Sequence, residues 1–100
     1  MTKPFDMELF LSGVLTGSHA TRTRHIRQAK IIQAAIVGRW RKDNPWRWQR
    51  KYLVWVLNHY LQSCKGSTRY YYRLTIQLIA LRLGRSWSQA SLETERDFRK

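Results

Sequence analysis

RKDNPWRWQRKYLVWV, residues 41–56, reads as the end of one helix and the start of the next. The Asn44 side chain can cap a helix start. Pro45 has no N–H to leave unsatisfied and a φ already fixed for the first helical position. Lys42-Asp43-Asn44-Pro45 therefore closes a run from about Thr21 to Arg41 that contains no proline and only Gly38 as a weak point. Downstream, the pattern predicts a second helix from about Pro45 to Cys64, ended by Lys65-Gly66-Ser67. Ser67 or Thr68 then caps a third helix, about Thr68 to Leu83, with Gly84 as its left-handed terminator. Upstream, Gly13, Gly17 and Ser18 set off a short amphipathic turn, about Asp6 to Leu15. No period-two pattern of a strand and no internal repeat competes. The expected fold is all-α, a compact bundle of three long helices plus a short N-terminal helix. The last residues, SQASLETERDFRK (88–100), are charge-balanced and read as a tail or a frayed short helix. One domain covers 1–100, with its core in about 18–87.

A rotation of about 100° per residue sorts the faces of these helices. His25, Ala29, Ile32, Ile36 and Trp40 share the inward side of the first long helix, with Arg27, Lys30, Ala34 and Arg41 nearly opposite. In the second, Trp46, Leu53, Val56, Leu57, Tyr60 and Cys64 form the inward stripe. Trp48 and Trp55, seven apart, face away from it. They either pack under Phe5, Leu9, Phe10 and Leu11 of the N-terminal segment or contact something outside the chain. In the third, Tyr71, Leu74, Leu78 and Leu81 point inward, and Arg69, Arg73 and Ile76 outward. Ile79 and Leu83 make that helix apolar over a wide arc, which suits a central position.

Composition restricts the function more sharply than the fold. A hydrophobic content of 43% with 13% aromatics belongs to a folding chain rather than a disordered one. Nineteen Lys and Arg against six Asp and Glu give a net charge of +13. The excess is localised, since Asp43 is the only acid between Leu9 and Leu92. Thirteen of the nineteen cations are arginine, the side chain suited to planar, bidentate contact with phosphate. Such a balance points to nucleic acid as the partner. A lone cysteine, Cys64, excludes an internal disulfide and a Cys-based zinc site, and His19, His25 and His59 lack metal-ligand spacing. No apolar run approaches the roughly 20 residues that cross a bilayer. LFLSGVLTGSHA (9–20) imitates a signal peptide, but Asp6 and Glu8 stand where its positive region belongs, and Ser12 and Gly13 interrupt it. A cytoplasmic location is expected.

Each long helix opens in hydroxyl or basic residues: Thr21-Arg22-Thr23-Arg24, then Arg47, Arg50 and Lys51 after the proline, then Ser67-Thr68-Arg69 continuing to Arg73. Helix starts present unpaired backbone N–H groups and a partial positive charge, so they receive phosphate readily. Catalytic patterns are weak by comparison. His19-Ala20-Thr21-Arg22 and Tyr70-Tyr71-Tyr72 have no supporting set of residues. No carboxylate pair is poised for acid–base work and there is no glycine-rich nucleotide loop. The chain reads as non-catalytic, with neither cofactor nor metal.

The order HATRTRHIRQAKIIQAAIVGRW, NPWRWQRKYLVWVLNHYLQS, GSTRYYYRLTIQLIALRLGRSW, covering about Ser18 to Trp87, resembles the core-binding (SAM-like N-terminal) domain of tyrosine recombinases and phage-type integrases. That resemblance implies a four- or five-helix bundle clamping one face of double-stranded DNA, with phosphate contacts at helix starts. It also implies a catalytic recombinase domain or other recombinase protomers as partners. Carried onto this sequence, Thr21, Arg22, Arg24, Arg27 and Lys30 would serve the first long helix, and Ser67, Thr68, Arg69 and Arg73 the later one. The departure is the absence of the family's catalytic domain.

The full set of expected DNA contacts adds Arg41, Arg47 and Lys51. Arg69→Ala and Arg27→Ala are each expected to weaken binding with helicity kept. Three rival readings compete with duplex binding. One is an RNA or single-strand binder stacking bases on Trp48, Trp55 and Tyr72. Another is a protein-interaction patch of Trp48, Trp55 and Ile79 with incidental charge. The third is an amphipathic protein of the membrane surface.

Overall fold

A computed structural model of the chain describes residues 5–85, and all the regular structure in that range is helical. The first helix, α1, is a five-residue piece, Met7–Leu11, whose start is capped by the Asp6 carboxylate accepting from the Leu9 amide at 3.1 Å. The second, α2, runs His19–Trp40. Ser18 caps it, accepting from the Thr21 amide at 3.2 Å, and Arg41 ends it in the left-handed conformation at φ 60°. The expected inward stripe is present, with His25, Ala29, Ile32 and Ile36 all buried and Trp40 partly so.

The expected second helix is two pieces rather than one. Asn44 and Pro45 start it as read, with Asn44 Oδ1 accepting from the Trp46 amide at 2.9 Å, but only a 3-10 turn, Pro45–Arg47, forms there. Trp48 and Gln49 are extended, and α3 begins afresh at Arg50–Trp55. A π turn over Val56–Tyr60 continues it, closed by a bond from the Leu61 amide to the Val56 carbonyl at 2.9 Å. The interruption has a packing cause. It resets the helical phase so that Trp48, Tyr52 and Val56 all point inward, and Trp48, at 1% exposed, becomes one of the largest side chains in the core. Its indole N–H donates to the Lys42 carbonyl at 2.8 Å. Trp46, read as a core residue, is 45% exposed, and Tyr60 is exposed too.

The last described helix, α4, spans Gly66–Leu83. It starts two residues before the expected position, so Ser67 and Thr68 lie in its first turn, and the N-cap Lys65 makes no side-chain capping bond. Gly84, at φ 72°, terminates it as read. The Arg85 amide reaches the Ala80 carbonyl and the Gly84 amide that of Leu81, the paired bonds of a Schellman ending. The buried face is Tyr72, Thr75, Ile76, Ile79, Ala80 and Leu83. The expected face was therefore wrong: Ile76 is fully buried, whereas Tyr71 and Leu81 are exposed. The tail reading at 88–100 falls outside the described residues.

The core joins Met7 and Leu11 of α1, Ile32 and Ile36 of α2, Trp48, Leu53 and Val56 of the third segment, and Ile76 and Ile79 of α4. Side-chain pairs give the helix directions. Arg24 meets Tyr71 and Gln28 meets Thr75, so α2 and α4 run the same way through their contact. Arg85 donates to the Trp48 carbonyl at 2.9 Å and Arg69 to the Leu57 carbonyl at 3.0 Å, so α3 with its π turn runs antiparallel to α4. The N-terminal segment is held by Asp43, which accepts from the Phe5 amide at 2.9 Å. The Gln33 amide donates to both Phe5 and Asp43 carbonyls.

Candidate nucleic-acid interface

Same-direction packing places the starts of α2 and α4 at one end of the molecule. A buried polar cluster fixes this register. Thr75, fully buried, donates its hydroxyl proton to Gln28 Oε1 at 2.8 Å. Its oxygen, 2.8 Å from His25 Nδ1, must then accept, which assigns the proton of His25 to Nδ1. The imidazole is 7% exposed, and burial, assisted by the charge of neighbouring Arg24, pushes its pKa below the usual histidine value. Nearby, burial raises the Tyr72 phenol above its ordinary value, with Cys64 and Tyr60 acting in the same sense and Arg27 opposing.

Most of the sequence-predicted phosphate contacts gather around this end. Thr21 exchanges hydrogen bonds with the Ser18 cap, and Arg22 is exposed one residue on. Arg24 is partly buried, its guanidinium 4.4 Å from the Tyr71 ring centroid. From α4 come exposed Ser67, partly buried Thr68 and Arg69, and, a turn further on, partly buried Arg73. Arg69 is not solely a surface cation, because one guanidinium N–H closes the Leu57 carbonyl left over by the π turn.

Arg27 and Lys30 lie along the outward side of α2, where a groove of about 500 Å³ is lined by Thr23, Ile26, Arg27, Lys30, Ile31 and Ala34, with Glu8 of α1 on its rim. A second hollow of about 280 Å³ shares Glu8, Thr23 and Ile26 and adds His19 and Arg22. The two form one trough between α1 and α2, and three of the exposed α2 cations, Arg22, Arg27 and Lys30, line it.

Arg41, Arg47 and Lys51 are exposed but stand elsewhere. Arg41 follows the far end of α2, while Arg47 and Lys51 flank Trp48, which Arg85 ties to the far end of α4. At about 1.5 Å of rise per residue, the 18 residues of α4 separate them from the α2 and α4 starts by about 27 Å.

Several arginines that sequence counts as charge also hold the chain's own rings and carbonyls, Arg39 while remaining exposed. Arg39 covers the rings of Trp40 and Trp55 at 5.0 and 5.3 Å. Arg82 lies over Phe10 and Trp46 and donates to the Phe10 carbonyl at 2.9 Å. Their partners sit up to 72 residues away, and no local pattern announces them. Trp48, Tyr72 and Ile79, assigned to base-stacking or protein-binding surfaces, are core residues, so neither surface exists as drawn. Trp55 is partly buried edge-on against Trp40.

Among the described residues, no helix is long and apolar enough to cross a membrane, and no cluster of three or more His, Cys, Asp or Glu could hold a metal ion. No protein-family model matches the chain, and neither a curated protein nor a solved structure matches it.

Proposed function

We propose that the chain is a helical, SAM-like module that binds duplex DNA and is not catalytic by itself. It would position the duplex for a catalytic recombinase domain or for other recombinase protomers. The observation that carries this reading is the parallel pairing of α2 and α4. It sets two helix starts, with their N–H groups, hydroxyls and flanking cations, at one end, beside the trough lined by Arg22, Arg27 and Lys30. Helix starts and guanidinium groups favour the same ligand, a phosphate oxygen, and a duplex offers them in a row. In this reading the sugar–phosphate backbone crosses the α2 and α4 starts and follows the outward side of α2.

With on the order of five phosphates neutralised, log K falls with log salt at a slope of about −4.5. The test is anisotropy of a labelled duplex from about 50 to 200 mM salt. It uses two variants of equal charge loss, Arg22→Ala/Arg27→Ala/Lys30→Ala and Arg41→Ala/Arg47→Ala/Lys51→Ala. The first should make the slope shallower by about 2.7, near 0.9 for each lost contact, with the circular dichroism unchanged. The second should change it less. Equal effects would mean undirected charge attraction, and tighter binding to single strands than to duplex would favour the single-strand reading.

A further inference from the structure

Arg27, Lys30, Ile31 and Ala34 stand at i, i+3, i+4 and i+7 of α2, so they are neighbours on one face. All four are exposed and line the trough. Two are cations and two are apolar, and each apolar residue lies one turn beyond a cation. On a helix face that meets only water, the position four beyond a cation is where a carboxylate adds stability. α2 has no acidic residue along its 22 positions, and Ile31, at 36% exposed, is one of the large apolar side chains the fold leaves uncovered. The carboxylate nearest in the trough, Glu8, belongs to α1.

Phosphate alone does not account for this mixture. A sugar–phosphate strand calls for cations and N–H donors, and a branched alkyl group gives it little. The major groove of a duplex calls for both. It is about 12 Å wide and admits an α-helix, and thymine alone among the four bases presents a methyl group there, at C5. Seven steps of about 1.5 Å separate Arg27 from Ala34, so the patch is about 10 Å long and matches that width. We infer that Ile31 and Ala34 lie on thymine methyl groups in the major groove, giving the chain a preference for A·T base pairs along the outward side of α2. Arg27 and Lys30, a turn earlier on the same face, reach the flanking phosphates. The single-carbon side chain of Ala34 lets the helix approach the base edges, and Ile31 beside it supplies most of the apolar contact. The inference rests on the duplex-binding reading and adds to it a source of sequence preference that phosphate contacts cannot supply.

Two duplexes of about 20 alternating A·T pairs test it, one with thymine and one with uracil at every T position. They have the same charge, donors and acceptors, and differ in the C5 methyl. Anisotropy of the unmodified protein should show about fifteenfold tighter binding to the thymine duplex, near fourfold for each of two buried methyl groups. The salt slopes should be equal, because the phosphates are the same. Ile31→Ala/Ala34→Ser, with circular dichroism confirming its helix content, should bind the two duplexes within about twofold of each other. Equal affinity of the wild type for both duplexes, at the steep salt slope of phosphate contact, would overturn the inference and leave duplex binding standing. A thymine preference that survives in the variant would overturn the assignment to Ile31 and Ala34. Binding to neither duplex would refute duplex binding itself, and the inference with it.

Discussion

Thr75→Val removes one hydroxyl and keeps the shape of the side chain, and it strikes the contact that sets α2 beside α4. Thr75 is fully buried and its oxygen serves His25 and Gln28 together, at 2.8 Å each, with the Tyr71 carbonyl a further 3.2 Å neighbour. After substitution, the His25 Nδ1–H has no acceptor in a site only 7% exposed. A buried donor left in that condition costs about 1–3 kcal/mol. Gln28 is partly buried and can turn to water, so its share is small. The expected loss is about 2 kcal/mol, most of it from the imidazole. With a urea dependence of about 1 kcal/mol per molar for a chain this short, the midpoint should fall by about 2 M. Far-UV circular dichroism at pH 7.5 reads it. His25→Leu supplies the control, because Thr75 then keeps Gln28 as acceptor and loses nothing it requires. In the double variant both partners are apolar, so the unsatisfied donor disappears and the pair should be about 1–2 kcal/mol more stable than the sum of the single losses. Additivity within about 0.5 kcal/mol would refute the claim that this bond sets the pairing of the two helix starts.

The same imidazole predicts a pH dependence. Its folded pKa lies below that of the unfolded chain, so below about pH 6.5 the unfolded state takes up a proton that the folded state resists. Stability is full above that value and falls as the pH drops toward the depressed folded pKa. Urea midpoints at pH 7.5 and 5.5 should diverge in the wild type and diverge less in His25→Leu. Arg69→Ala should lower stability by about 1 kcal/mol by removing the donor to the Leu57 carbonyl. Part of any loss of DNA affinity in that variant will then be structural, and titration well below its melting temperature separates the two contributions. Trp48→Phe should cost about 1–2 kcal/mol, since it deletes the indole N–H bond to the Lys42 carbonyl and leaves core volume unfilled. A thermal melt within a degree of wild type would remove Trp48 from the core. Glu8→Gln should tighten duplex binding by withdrawing the one carboxylate on the rim of the trough, and weaker binding would place the phosphates elsewhere.

The parts of the fold legible in sequence are those fixed by short-range rules. The Asn44-Pro45 start and the Gly84 terminator act within a turn, and each holds its expected place. By contrast, α2 begins at His19, two residues before the expected Thr21, on a Ser18 cap that the sequence marks only as a break. The stripe through His25, Ala29, Ile32 and Ile36 is legible because Arg27, Lys30 and Arg41 mark the opposite side of α2, although Ile31 and Ala34 share it. Failure came where two faces are both apolar. In α4, Tyr71, Leu74, Leu78 and Leu81 make as regular a stripe as the buried Tyr72, Ile76, Ile79 and Leu83, and periodicity cannot rank them. Thr75 decides the matter by pairing with a histidine 50 residues away. The exchange of Trp46 for Trp48 has a similar origin. Continuous helical phase from Pro45 puts Trp46 inside, and two extended residues undo that phase. At the site, the hydroxyls and cations of the helix starts were legible as types. Their sorting into a shared end, a trough and a far end was not, because it depends on helix direction.

That sorting changes what the charge of the chain means. Arginine can lie flat on an aromatic ring and still donate to a carbonyl, which lysine does poorly. Arg24, Arg39 and Arg82 use the first property, and Arg69, Arg82 and Arg85 the second. Part of the arginine excess is thus a device for closing a small core whose aromatic rings reach the surface. A polyanion meets mainly the exposed side chains, and of these Arg22, Arg27 and Lys30 share one trough. The two groups separate by experiment. Substituting an arginine that holds a ring or a carbonyl changes the melting temperature first, whereas substituting one of the trough cations changes the salt slope of binding first. A cation that altered both equally would join the two roles, and Arg24, on the Tyr71 ring and beside the start of α2, is the residue placed to do so.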